Sequence, residues 1–387
     1  MSRTGWPLLT IAIVLVGLNL RPILASAGPL LDVIQRDTGL GDGQAGLLTT
    51  IPVALMGICL LGTRLFRAWF GDLRGVAIGV LLVCFACAAR WIAPGGTSLL
   101  ATATIGGVGI ALAQALVPGI IRERGEDRAA GLMGFYSTAI MGGALIASSA
   151  APWFERLWGW PAALGLWAVP AFAGLLVWAA VIGLRRGGAV SVETQASVHS
   201  SSRAWALMAF FGMGTGAYTL VLAWLPSFYT QLGWPATAAG ALLGAVTLAE
   251  VVAGIIVSVP IDRMPDRRPA LFLALGALLT GLAGLYLAPL AAAWPAAILA
   301  GLGIGALFPL SLIVAMDHAR DSAEAGAIVG FVQGGGYLLA AVLPFVAGLI
   351  RQGMSDLAPA WLLMAGLCFP LALLAARFRP GDKLSSG

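Results

Sequence analysis

The chain is 387 residues long, 59% hydrophobic and only 10% charged, with a net charge of +5. A soluble domain is about 25% charged, and a water-soluble fold of this size could not hide so much apolar surface. A soluble globular enzyme is therefore excluded, and a polytopic helical membrane protein is expected, with the lipid bilayer as its partner. Basic residues stand singly or in pairs between apolar segments, so no nucleic-acid partner is expected.

A spanning helix needs about 20 mostly apolar residues. Stretches of that kind, cut by charge, Pro and Gly clusters, fall at about 7–34, 44–64, 74–93, 98–121, 129–151, 161–184, 204–231, 236–260, 269–289, 293–316, 324–350 and 358–378. The first run continues for about 25 residues and is followed by others, unlike a cleavable signal peptide. Twelve spans put both termini on one side, with seventeen Lys and Arg residues in that side's loops. Only Arg36, Arg90, Arg156 and Arg351 fall in loops on the other side. The positive-inside bias predicts cytoplasmic N- and C-termini.

The first span contains "GLNLRPILASAGPLL", where Arg21 stands about 14 residues in, roughly 20 Å along a helix. A central Arg costs a few kcal/mol even on the lenient insertion scale, so it must face a partner or a water-filled cavity. Its fixed charge and directed donors suit an anion; a structural ion pair or a carbonyl-capping role is the alternative. Pro22 lacks a backbone donor and is expected to kink the helix there, with the Asn19 amide beside it. In the fourth span Gln114 lies at similar depth.

The longest polar connection, residues 185–203, is rich in Ser and Gly and reads as a flexible linker. It divides the chain into bundles at 1–184 and 204–387. The halves echo one another: "GGVGIAL" (106–112) resembles "AGLGIGA" (300–306), and "AGLMGFYST" (130–138) resembles "AGAIVGFVQG" (325–334) with one extra residue. Duplicated six-helix bundles are the architecture of alternating-access transporters. The Gly clusters look like fragments of a dinucleotide loop, but no strand precedes them, and close helix packing explains them better.

In the seventh span Tyr218 lies at cavity depth, and Trp224 reads as a membrane-interface anchor, with a cavity gate as the alternative. Glu250 stands about 14 residues into the eighth span, the only acid deep inside a span. It is a candidate to neutralise Arg21 or to carry a proton; structural polarity is the alternative. In the eleventh span Gln333 and Tyr337 share one helix face around Gly334, Gly335 and Gly336. Gln and Tyr donors around a guanidinium would form a polar pocket for a small anion, and interhelical hydrogen bonds are the alternative use of each. His199 falls in the linker and His318 in a cytoplasmic loop, so neither serves as an intramembrane proton carrier. Cys59, Cys84, Cys87 and Cys368 are spaced for neither zinc nor disulfides, and no metal or cofactor is expected. Trp6, Trp69, Trp91, Trp153, Trp234 and Trp294 lie near span ends, as in an aromatic belt.

Several segments in order, "LNLRPILASAGPLL", "GGVGIALAQALVPGIIRER", "GLMGFYSTAIMGGAL", "AWLPSFYTQLG", "GLGIGALFPLSLIVAMDH" and "GFVQGGGYLLAAVLPFVAG", resemble the major facilitator superfamily, and within it the cyanate transporter family. The resemblance covers nearly the whole chain. It implies a monomeric bacterial inner-membrane transporter, not an enzyme, moving cyanate or, as in a sister branch, 2-nitroimidazole. "AQALVP" and "AMDH" look closer to the cyanate branch. The family's Gly-x-Leu-x-Asp-Arg loop is degraded after the second span, in "GTRLFRAWFGDLRG". More of it survives after the eighth span in "VPIDRMPDRRP", where Asp262 and Arg263 are implied to latch a cytoplasmic gate. Import or export, and uniport, proton symport or exchange, are all compatible.

Overall fold

The computed structural model describes residues 5–125, 129–183, 199–258, 264–320 and 322–381. Asp262, Arg263 and most of the linker lie outside the described residues. All regular structure among the described residues is helical. The first crossing comprises α1 (Gly5–Asn19), α2 (Pro22–Ala25), a 3-10 turn at Gly28–Leu30, and α3 (Leu31–Thr38). Then come α4 (Asp42–Leu61), the short α5 (Thr63–Phe70), α6 (Asp72–Ile92), α7 (Gly96–Gly125), α8 (Ala129–Gly165) and α9 (Ala168–Gly183). The second half holds α10 (Ser202–Gln231), α11 (Ala236–Ser258), α12 (Arg268–Leu287), α13 (Ala293–Asp317), α14 (Ser322–Ala340), α15 (Val342–Met354) and α16 (Ala358–Arg377).

Eleven segments among the described residues are long and apolar enough to cross a membrane. One of them, Gly131–Ile182, runs for 52 residues, about 78 Å of helix and enough for two crossings. It is interrupted at Gly159, whose φ of 78° and ψ of 164° suit a residue without Cβ. Counted so, the crossings number twelve. The expected fifth and sixth spans are thus joined by a tight glycine bend at Gly159, and a turn at 166–167 then separates α8 from α9.

Lipid tails are as apolar as Leu, so small residues that let backbones approach are what hold such helices together. A Cβ at Gly57 would lie 2.6 Å from the Gly334 carbonyl, and one at Gly46 2.5 Å from that of Pro344. These contacts seat α4 of the first half along α14 and α15 of the second. A second seam joins α8 to α11, where a Cβ at Gly240 would lie 2.6 Å from the Ser148 carbonyl. The Gly clusters expected to pack helices do so: Gly107 sits on Pro52, Gly301 on Val246 and Gly305 on the Glu250 backbone.

Two crossings are broken, the first at Pro22, where a kink was expected, and the eleventh just ahead of Pro344, and proline chemistry explains both. Pro22 has no N–H for the Leu18 carbonyl, and Pro344 has none for that of Ala340. The Ala340 carbonyl instead accepts from the Thr219 hydroxyl at 2.9 Å, and the Ala341 carbonyl from Thr50 at 2.7 Å. The Leu18 carbonyl faces Gly143 on α8 so closely that no Cβ fits between them.

Three placements correct the sequence reading. Trp224 is no interface anchor: it is fully buried, and its indole N–H donates to the Pro344 carbonyl at 2.8 Å. The second half needs that donor where α15 begins. His318 is not in a solvated loop but buried as the C-cap of α13, with Nδ1 2.7 Å from the Val314 carbonyl and its ring edge-on to Phe378. Arg90, expected in a loop, is buried in the last turn of α6. Charge alone does not distinguish a loop residue from one turned inward at a helix end.

Candidate functional site

Arg21 is the residue at the break itself. It caps α2 with φ −104° and ψ −25°, directly before Pro22 at the first helical position, and is 4% exposed. Its guanidinium lies over the Tyr218 ring of α10, 5.4 Å from the centroid. One terminal nitrogen donates to the Met56 sulfur, a weak acceptor, at 3.9 Å. Nε is buried with no partner. Tyr337 of α14, Tyr136 of α8 and Glu250 of α11 lie within electrostatic reach. Among the described residues Arg21 forms no direct ion pair.

The structure brings Arg21, Tyr218, Tyr337 and Glu250 together. It adds Tyr136, a residue the sequence reading did not single out. Tyr136 is 4% exposed and packs on Gly17 of α1, and its hydroxyl, like that of Tyr218, has no partner. Tyr136 and Gly143 are seven residues apart on one face of α8, and both meet α1. That spacing was the signal available in the sequence. Gln114 on α7 also keeps a buried, unpartnered Oε1, and Gln333 is half-buried one turn before Tyr337 on α14. Asn19 is not brought to the cluster: its amide donates to the Leu15 carbonyl at 2.7 Å and to that of Pro170 on α9 at 3.1 Å.

The chemistry of the cluster is lopsided. A guanidinium offers five N–H donors and tyrosine an O–H, while an unmet buried donor costs about 1–3 kcal/mol. Against these donors stand a thioether and one carboxylate. Such a cluster fits a small acceptor-rich anion, drawing on side chains from both halves. Among the described residues no group of three or more His, Cys, Asp and Glu could hold a metal ion.

One end of the cleft between the halves is closed by polar contacts. Arg351 of α15 reaches Asp32 at 3.2 Å, Gln35 at 3.3 Å and Asp42 at 3.6 Å, and stacks over Trp224 at 5.6 Å. Thr230 of α10 also donates to Asp32. Toward the other end Arg67 pairs with Asp72 at 2.7 Å, so the degraded loop after the second crossing still holds an Arg–Asp contact. In the second half Arg267 pairs with Asp317 at 3.0 Å.

The sequence profile of the Major Facilitator Superfamily matches residues 9–344. The chain belongs to the Major Facilitator Superfamily. It is 35% identical to the cyanate transport protein CynX of Escherichia coli K12 over 372 residues, covering 96% of this chain and 97% of that one. The 2-nitroimidazole transporter of the same organism is 31% identical over 349 residues, with 88% and 87% covered. Among solved structures, an inward-facing, occupied bacterial homologue of the human lysosomal transporter Spinster superposes with a TM-score of 0.77 over the whole of both chains, at 14% identity. That likeness shows the major facilitator fold, and with the relatives it makes this chain a multi-pass membrane transporter rather than an enzyme.

Proposed function

We propose that this transporter moves a small anion, cyanate in the first instance, across the bacterial inner membrane by alternating access, with Arg21 as the anion-binding group. One observation carries the reading: Arg21 sits buried at a helix break with Nε unpartnered, over the Tyr218 ring and with tyrosines of both halves in electrostatic reach. Cyanate is linear and accepts hydrogen bonds at both ends, so guanidinium and tyrosine donors can hold it from opposite sides. The likeness to the cyanate transport protein supports the same substrate. The division at 1–184, 185–203 and 204–387 supplies the two moving bodies, and one chain holds the whole site, as a monomer would. The positive-inside bias makes the arginine-rich end, with the Asp262–Arg263 gate, cytoplasmic. The end closed by Arg351 is then periplasmic.

A flat, weakly polar solute such as a nitroimidazole is the second reading. It is favoured by the rings around Arg21, where Tyr337 stands edge-on to Phe211 at 5.5 Å. Labelled cyanate uptake into proteoliposomes, with and without a pH gradient and with unlabelled 2-nitroimidazole as competitor, separates the readings. Arg21→Gln is expected to lower uptake at least about tenfold and Arg21→Lys to retain part of it, because a lysine keeps the charge but not the directed donors. Unchanged uptake by Arg21→Gln would remove Arg21 from the site. Glu250→Gln is expected to abolish any response to the pH gradient; a variant that still responds rules Glu250 out as the proton carrier.

A further inference from the structure

Arg90 is the second arginine buried in the membrane-spanning part of the first half, at 2% exposure, and no carboxylate pairs with it among the described residues. Its partners are neutral. A terminal nitrogen donates to the Ile23 carbonyl at 2.8 Å, and Nε donates to the Thr102 hydroxyl of α7 at 3.2 Å. Thr102 in turn donates to the Leu99 carbonyl at 3.0 Å, so its oxygen is oriented to accept from Arg90. An intramembrane charge without a counter-ion is rare and expensive. A merely structural contact to a carbonyl needs only a neutral donor.

The carbonyl it serves explains the placement. Past the break at Arg21 the chain runs for one short turn of helix. There the Ala27 N–H bonds to the Leu24 carbonyl at 3.3 Å, in 3-10 fashion, and leaves the Ile23 carbonyl without a helical donor. Arg90 supplies it. The Ile23 side chain meanwhile seats on Gly106 of α7, where a Cβ would collide with it. The short segment carrying Arg21 is therefore fastened two residues away by a charged hydrogen bond and a close-packed glycine, both from the first half.

Resting on the reading of Arg21 as the anion-binding group, we infer that Arg90 is a positioning residue for transport: its hydrogen bond to Ile23 fixes α2 and so the direction in which the Arg21 guanidinium faces the cleft. It touches no substrate. Losing it leaves the anion site present but mis-aimed, so affinity falls before turnover does.

The test uses full-length protein in proteoliposomes, with two readouts. Labelled cyanate uptake is expected to show KM raised about tenfold in Arg90→Gln, the loss of one charge-assisted hydrogen bond, with the maximal rate held within about twofold of wild type. Arg90→Lys, which can still donate to the Ile23 carbonyl, restores KM toward wild type, and Thr102→Val leaves that bond and so shifts KM less than Arg90→Gln does. Hydrogen–deuterium exchange needs no substrate: protection across residues 18–27 falls in Arg90→Gln, while that of α10 to α16 is unchanged. Unaltered protection at 18–27, or a lower maximal rate at constant KM, overturns the proposal. If wild type moves no cyanate, the substrate reading fails while exchange still decides the role of Arg90. Should Arg90→Gln not fold, an Arg90→Lys protein with wild-type KM and protection supports the role, and one matching wild type in neither overturns it.

Discussion

Tyr136 shows how a residue can matter to the site without advertising itself. Its ring is needed to fill space against Gly17, but its hydroxyl is buried with no partner, and burying an unbonded hydroxyl costs about 1–3 kcal/mol. Tyr136→Phe removes that cost, so its melting temperature is expected to equal or exceed that of wild type. Cyanate KM is expected to rise by up to about tenfold as a donor to the anion is lost. Equal KM in the two proteins would assign the hydroxyl no part in binding. Outside the membrane, the hydrogen bond from Arg268 holds the Asp266 carboxyl below its ordinary range. A depressed carboxyl stabilises above its unfolded pKa, and that contribution is lost only as pH falls through the depressed value, so this tie at the start of α12 persists at neutral pH.

At the scale of elements, the first crossing is a helix broken on purpose. Pro22 frees the Leu18 carbonyl, and Gly143 on α8 lets another backbone come up against it. Gly143→Ala sets a methyl group against that carbonyl and is expected to destabilise by about 1–3 kcal/mol, read as a lower melting temperature in detergent. Gly142→Ala is the control, since its Cβ would meet only the Leu18 side chain at 3.7 Å. Equal melting temperatures for the two variants would mean that α1 and α8 part freely at the break. The eleventh crossing repeats the device with Pro344, Thr219 and Thr50, so the two broken crossings lie one in each half.

For the whole molecule, the halves meet along α4 with α14 and α15, along α8 with α11, and at the Arg351 cluster. Asp32, Gln35 and Asp42 come from the first half, Arg351 and Thr230 from the second. Partly exposed ion pairs contribute about 0.2–1 kcal/mol each, enough to shift a balanced equilibrium between closed and open forms severalfold. Arg351→Gln is expected to open this end more often. In a background lacking the native cysteines, Ser227→Cys lies one turn below Thr230, and its labelling by an impermeant maleimide from the Arg351 side should rise about two- to fivefold. No rise would show that the glycine seams alone keep this end shut.

Sequence alone determined the class, the twelve crossings and the family, because membrane insertion is decided by local hydropathy and by loop charge, and both are written along the chain. It also picked out Arg21 and Glu250, since a charge in an apolar run is visible wherever that run folds. Tyr218, Tyr337 and the packing glycines were legible for the same reason. Only the tertiary structure decided which polar residues converge. It turned Asn19 to α9, Trp224 inward to Pro344, and Arg90 from a presumed loop to the Ile23 carbonyl. Depth along a helix follows from counting residues, but rotation about its axis and the partner it meets are set by how the helices pack.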